Sequence, residues 1–268
     1  MRYDTVLITG ASAGIGEEFG HQLAPLCRRL VLVARRRSRL QDLARTLRAA
    51  YPGLDVHIFE TDLANDRELD ALVSGLAMQG LVPDLLVNNA GLGDYGEFAT
   101  ARWEKIEAML QVNIRALTRL CHAVVPAMRE LGGGSILNVS SLASIVPIPD
   151  FAVYAATKAY VTHFSEALRL EVKDYGIRVL ALCPGPVPTE FGDVARRSAD
   201  SDSSIPGNRM FSISAGQVVS EALHALASNK ARHYPGALVG AAALVIGLLP
   251  LAVLRSVLAC RPRRPRKG

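Results

Sequence analysis

The chain of 268 residues has only four cysteines, Cys27, Cys121, Cys183 and Cys260, and none lie close together. That scarcity excludes a disulfide framework and a thiolate zinc site, so no metal is expected and a reducing compartment is. A signal-peptide layout is also missing. The first residues, MRYDTVLITG, enter an apolar run at once, and a cytoplasmic protein is expected. The body lacks excess charge: the net +5 lies wholly in Arg261, Arg263, Arg264, Arg266 and Lys267, in a Pro-interrupted tail. A basic nucleic-acid-binding body is thereby excluded. There is no internal repeat and no linker. One domain is expected over 1–236, with an apolar segment and basic tail over 237–268.

Short β-branched runs alternate with helical patterns along the chain. Strands are expected at Thr5–Thr9, Leu30–Ala34, Asp55–Glu60, Asp84–Asn88, Ser135–Ser140 and Arg178–Cys183. Helices are expected to begin at Gly14 and to cover Ser38–Ala50, Asp66–Met78, Trp103–Glu130 and Phe151–Tyr175. This order predicts an α/β fold: a doubly wound, Rossmann-type parallel sheet with helices on both faces, in a single domain. Ligands in such sheets bind beyond the carboxyl ends of the strands. Residues 190–214, rich in Ser, Asp, Arg and Gly, follow the sixth strand and read as a substrate lid rather than a passive loop.

Several motifs fall at those strand ends. TGASAGIG, Thr9 to Gly16, joins the first strand to the first helix. Gly10 permits a tight turn, Gly14 and Gly16 a close approach, and the helix N-terminus offers N–H groups to a pyrophosphate. Its spacing, Gly-x-x-x-Gly-x-Gly, differs from the usual Gly-x-Gly-x-x-Gly. After the second strand come Arg35, Arg36 and Arg37, with no carboxylate to hold two ribose hydroxyls. An arginine there suits a 2′-phosphate, and Arg35 is nearest the strand end. Asp62 is placed either to accept from an adenine amino group or to cap the next helix. NNAG, Asn88 to Gly91, and PGPVPTEF, Pro184 to Phe191, follow the fourth and sixth strands. Val187 and Thr189 would approach a nicotinamide carboxamide. Tyr154 and Lys158 are one helical turn apart and share a face. An ammonium there is expected to lower the phenol pKa and make a proton-transfer site for alcohol–carbonyl chemistry.

Taken together, TGASAGIG, Asp62, NNAG, Asn113, Ser141, YAATK and PGPVPT resemble, in order and spacing, the short-chain dehydrogenase/reductase family over roughly residues 4–235. The resemblance implies a catalytic set of Asn113, Ser141, Tyr154 and Lys158. Of the two serines in NVSS, the family spacing selects Ser141, thirteen residues before the tyrosine, and Ser140 is expected to point inward. A cofactor would lie against Gly10, Ser12, Ala13, Gly14, Ile15 and Gly16, then Arg35, Asp62 and Leu63. Asn89, Ala90 and Gly91, then Pro184, Gly185, Val187 and Thr189, with Tyr154 and Lys158, would complete its contacts. NADP is favoured by Arg35. NAD stays open, because Ala13 stands where many NADP-preferring members have a second basic residue. The implied reaction interconverts a secondary alcohol and a carbonyl; the apolar C-terminal segment and Met210–Phe211 near the lid, not the resemblance, point to an apolar substrate. Asn113 would hold a water linking Lys158 to solvent. A homodimer or homotetramer is implied as well.

Alternatives of other classes are a non-catalytic redox sensor or scaffold, which should have lost part of the catalytic set, and a nucleotide-sugar epimerase or dehydratase, which should be longer. Residues 237–254 form an uncharged run at the lower length limit for a membrane span, interrupted by Pro250. An interface helix, a peripheral membrane contact and a span all remain open for it.

Overall fold

In the first strand Val6, Leu7 and Ile8 are all fully buried. Val6 and Ile8 belong to one apolar core and Leu7 to another. Successive side chains of a strand point to opposite faces, so this strand is covered on both sides. The computed structural model describes residues 3–197 and 212–259. Its strands are β1 Tyr3–Thr9, β2 Cys27–Ala34, β3 Asp55–Glu60, β4 Leu85–Asn88, β5 Gly134–Val139, β6 Ile177–Leu182 and β7 Arg232–His233. They form one parallel sheet in the order β3-β2-β1-β4-β5-β6-β7.

The helices are α1 Gly14–Leu23, α2 Arg37–Ala50, α3 Asp66–Met78, α4 Trp103–Leu110, α5 Leu117–Glu130, α6 Ala152–Val172, α7 Phe191–Ala195, α8 Ala215–Ala227, α9 Ala237–Leu248 and α10 Leu251–Ala259. Phe19 and Leu23 of α1, Leu40 of α2 and Val218 of α8 pack on one face of the sheet. Leu72 of α3, Leu120 of α5 and Val161 of α6 pack on the other. The fold is the doubly wound, Rossmann-type sheet that the alternation predicts, in one domain. The strand order reverses between β1 and β4, which opens a crevice at their carboxyl ends.

Three local differences from the sequence expectation have physical causes. The expected helix Trp103–Glu130 is α4 and α5 joined by a π-helical segment, Gln111–Ala116. Such segments often mark functional sites. The helix with Tyr154 ends in a 3₁₀ turn, Lys173–Tyr175, because Gly176 turns left-handed at φ +72°. The edge strand β7 is only two residues long, too short to show a periodicity. Most of the expected lid, including Met210 and Phe211, lies outside the described residues, as does the basic tail.

Candidate active site

Thr9 organises the crevice between β1 and β4. Its hydroxyl accepts hydrogen bonds from the backbone N–H of Asn89 and of Ala90, both at 3.0 Å. The Asn89 amide donates back to the Thr9 and Gly10 carbonyls at 3.0 and 3.3 Å. Asn88, pointing the other way, donates to Asn138 on the adjoining strand at 2.9 Å. NNAG therefore locks β4 to both neighbours while its backbone faces the crevice.

The glycine turn fits a dinucleotide cradle. Gly10 and Gly14 have φ of +67° and +57°, the left-handed region that glycine adopts without strain. A Cβ at Gly16 would lie 2.2 Å from the Gly10 carbonyl oxygen, and one at Gly14 would lie 2.9 Å from Thr189 Cγ2. Gly16 does not face the cavity; it lets α1 seat against the turn. Ala13 precedes α1 with no side-chain cap, so the first N–H groups of the helix stay free for a phosphate.

A cavity of about 750 Å³ runs from this turn to α6. Gly10, Ser12, Ala13, Gly14, Ile15, Arg35, Asp62 and Leu63 line one end of it. Asn89, Ala90, Gly91, Ser141, Tyr154, Lys158, Pro184, Gly185, Val187 and Thr189 continue it. Asp62 accepts from the Ala64 N–H at 3.0 Å, but it does not cap α3. Asn65 does, accepting from Arg67 and Glu68. The capping alternative for Asp62 is therefore corrected, because the helix begins three residues later than that alternative needs. Arg36 and Arg37 are paired with Glu190 and Glu60, at 2.7 and 3.5 Å. Arg35 is exposed at the cavity edge and makes no ion pair among the described residues.

Tyr154 and Lys158 lie side by side on α6, both buried, with the ammonium 5.7 Å from the phenol ring centroid. Phe151 stacks on Tyr154 at 4.2 Å and Phe191 of α7 tilts against it at 5.6 Å. Lys158 Nζ donates to the Val139 carbonyl at 2.8 Å. Burial penalises both charged forms: it pushes Tyr154 up to about 12 and Lys158 down to about 8. The neighbouring Ser141 hydroxyl draws Tyr154 back only in part. The lowering of Tyr154 expected from Lys158 is therefore not what this pocket gives; burial dominates, with Ser141 the opposing group. The two serines divide as expected. Both border the cavity, but the buried Ser140 hydroxyl is turned to the Lys158 carbonyl and to Thr162, at 2.8 and 2.7 Å, whereas the Ser141 hydroxyl accepts from the Ala143 N–H at 3.1 Å. Asn113, in the π-helical segment, is buried away from the cavity surface. Its amide donates to Leu92 O at 2.9 Å and Thr157 Oγ1 at 3.0 Å and accepts from Leu92 N at 2.8 Å.

Residues 4–200 match the family model described as short chain dehydrogenase. The chain belongs to the short-chain dehydrogenase family. It is an oxidoreductase whose relatives include named reductases. The sulfoacetaldehyde reductase of Chromohalobacter salexigens is 36% identical over 193 residues, which cover 70% of this chain and 74% of that protein. The very-long-chain 3-oxoacyl-CoA reductase of Rattus norvegicus is 29% identical over 74% of this chain; the chain spans 64% of that protein's length. A short-chain dehydrogenase from Sphingobium yanoikuyae, solved in complex with NADPH, superposes with a TM-score of 0.79. It is 32% identical, with 99% of this chain and 98% of that one covered. A nicotinamide dinucleotide is thus the cofactor class that the fold supports.

Two features of this dehydrogenase's site escape sequence reasoning. Glu190 reaches back across 154 positions to Arg36, and Arg36 also bonds to the Ser12 hydroxyl at 3.2 Å. Nothing in local spacing signals such a bridge. The substrate side of the cavity is built by Leu92, Val146, Ile148, Phe191 and Ile246, from four separate segments. Of these, Phe191 alone has a signal, its place at the end of PGPVPTEF.

Proposed function

We propose that this dehydrogenase reduces the ketone or aldehyde carbonyl of an apolar substrate with NADPH, Tyr154 giving the proton. One observation carries the reading. Tyr154, Lys158 and Ser141 line the same cavity as the glycine turn, together with the apolar Val146, Ile148 and Phe191. Nicotinamide chemistry supplies the hydride when the dinucleotide is bound. The chain's own residues do the rest. Ser141 hydrogen-bonds the carbonyl oxygen and polarises it. Tyr154, with its pKa held at about 12, is protonated at neutral pH and is set to donate as negative charge develops on that oxygen. Lys158, at about 8, is mostly charged at neutral pH and favours the phenolate that donation leaves behind. Its ammonium would also hold the ribose hydroxyls of a bound dinucleotide. Both amide protons of Asn113 are spent, so a water linking Lys158 outward would rest on the oxygen atoms of Asn113. The reductase names of two relatives agree with the reduction direction.

NADP is preferred through Arg35, the exposed arginine at the adenosine end. NAD is the second reading, favoured by Ala13. The apolar lining points to an acyl, lipid or steroid-like substrate and away from a sugar. A homo-oligomer paired through α4, α5 and α6 and a cytoplasmic setting, in keeping with the buried free Cys27, Cys121 and Cys183 among the described residues, complete the proposal. The test is NADPH oxidation across a panel of aliphatic and alicyclic ketones and aldehydes. Turnover that rises with substrate apolarity is expected. Inertness toward the whole panel, or faster turnover with polar sugars, would contradict the reading.

A further inference from the structure

Every residue of α9 is apolar. Val239 and Ala243 are buried against the body, and Ile246 lines the cavity. The opposite face looks outward. Leu238, Ala241, Val245 and Leu248 recur at i, i+3, i+7 and i+10 and are all exposed, as is Leu244 beside them. Leu244 and Leu248 are 66% and 76% exposed. A surface helix normally turns polar side chains to water on that face. Leu249 and Val253 extend the exposed apolar surface onto α10. Single exposed apolar residues elsewhere need no explanation; a contiguous apolar stripe does.

We propose that the α9–α10 face docks this enzyme on an anionic lipid surface. The chain sequence gives the charge argument. Residues 237–259 contain no acidic residue, and the eight residues from 261 contain five cations. Residues 1–260 together carry no net charge. In the sequence, all the excess charge therefore directly follows the helix pair that turns this apolar stripe to solvent. An apolar helix face beside a cluster of Arg and Lys is the combination that holds proteins on anionic bilayers. The helix lies on the surface and does not cross it. Twelve residues fall short of the ~20 a span needs, and no helix among the described residues is long and apolar enough to cross a membrane. A second copy is the poorer occupant. A two-fold interface would present the same cationic sequence from both partners, and the segment has no carboxylate to receive it. Because Ile246 shares α9 with the docking stripe, the cavity would open beside the lipid. The docking follows from the surface alone and does not depend on the reaction proposed above.

The test is flotation of the full chain with vesicles of phosphatidylcholine, alone or with added phosphatidylserine, with no turnover required. Binding should be about tenfold or more stronger to the anionic vesicles at low salt. Leu244→Gln with Leu248→Gln should lose that binding. So should replacement of the five tail cations by Gln. An unchanged thermal unfolding midpoint shows that each variant is folded. Wild-type protein that fails to float with anionic vesicles overturns the proposal, as does full binding by the Leu244/Leu248 variant. Sedimentation in which that variant turns an oligomer into monomers, with no lipid binding by the wild type, assigns the face to a second copy and also overturns it.

Discussion

Lys158 Nζ is hydrogen-bonded to the carbonyl oxygen of Val139 at 2.8 Å, which ties the middle of α6 to the last residue of β5. The bond fixes a buried ammonium beside Tyr154 at the point where the sheet ends and the cavity begins. The site's charge is therefore set by the fold before any ligand arrives.

Burial sets the pH response of that ammonium. Its pKa is lowered to about 8, so the charge is present below that pH and lost as pH rises through it. Dinucleotide capture and proton donation that use the charge should fall over the same window. In kcat/KM for NADPH, which reports groups of the free enzyme, an alkaline limb near pH 8 is expected. Lys158→Arg, whose side chain stays charged, should abolish the limb even if the rate is lower. Tyr154, near 12, should contribute no limb in this range. The linked stability effect has the opposite sense. Between about 8 and the unfolded lysine value of about 10.4 the unfolded chain binds more protons, so this group's contribution to stability grows with pH.

The adjacent serines should separate cleanly. Ser141→Ala removes a hydroxyl that faces the cavity and should lower kcat by about 10²- to 10³-fold with little change in folding. Ser140→Ala removes two buried hydrogen bonds and should cost about 1–3 kcal/mol in urea unfolding while leaving much of the turnover. Reversal of these two outcomes would assign the reacting serine wrongly.

Arg35 should discriminate the cofactors. A charge-assisted contact to a 2′-phosphate is worth about 1.5–3 kcal/mol, so Arg35→Ala should lower kcat/KM for NADPH roughly 10- to 100-fold. The value for NADH should barely move. Arg37→Ala, which removes a residue already paired with Glu60, should leave both. Equal losses with both cofactors would assign Arg35 a structural role.

Gly16→Ala would place a methyl 2.2 Å from the Gly10 carbonyl oxygen and 2.4 Å from the Asn89 amide. Backbone must then shift, at a cost of about 1–3 kcal/mol or more, and NADPH binding by fluorescence titration should be lost. Gly53→Ala, where nothing lies within 4 Å, is the matched control and should be neutral in both assays.

The sheet and its crevice were legible because a parallel strand buried on both faces must carry a short apolar run, and the inner strands β1, β2, β4, β5 and β6 do; β3, at the sheet edge, is only partly buried. The site residues were legible for a related reason: each motif occupies a strand end or one helical turn, so spacing places it. β7 was not, because two residues carry no period. The break in Trp103–Glu130 was hidden because a π-helical segment keeps the apolar pattern going on both sides. The raised Tyr154 pKa was also invisible. Spacing reveals that Lys158 is one turn away, but desolvation depends on Phe151 and Phe191 closing over the phenol. The Arg36–Glu190 pair is a tertiary contact with no local signature.

The central claim is that Tyr154 gives the proton. The most direct measurement is single-turnover NADPH oxidation by Tyr154→Phe on a ketone that the wild type reduces, with the NADPH dissociation constant measured alongside. The rate should fall about 10²- to 10⁴-fold while the dissociation constant stays within a few-fold of wild type. Wild-type turnover by this variant, with NADPH still bound, would contradict the account.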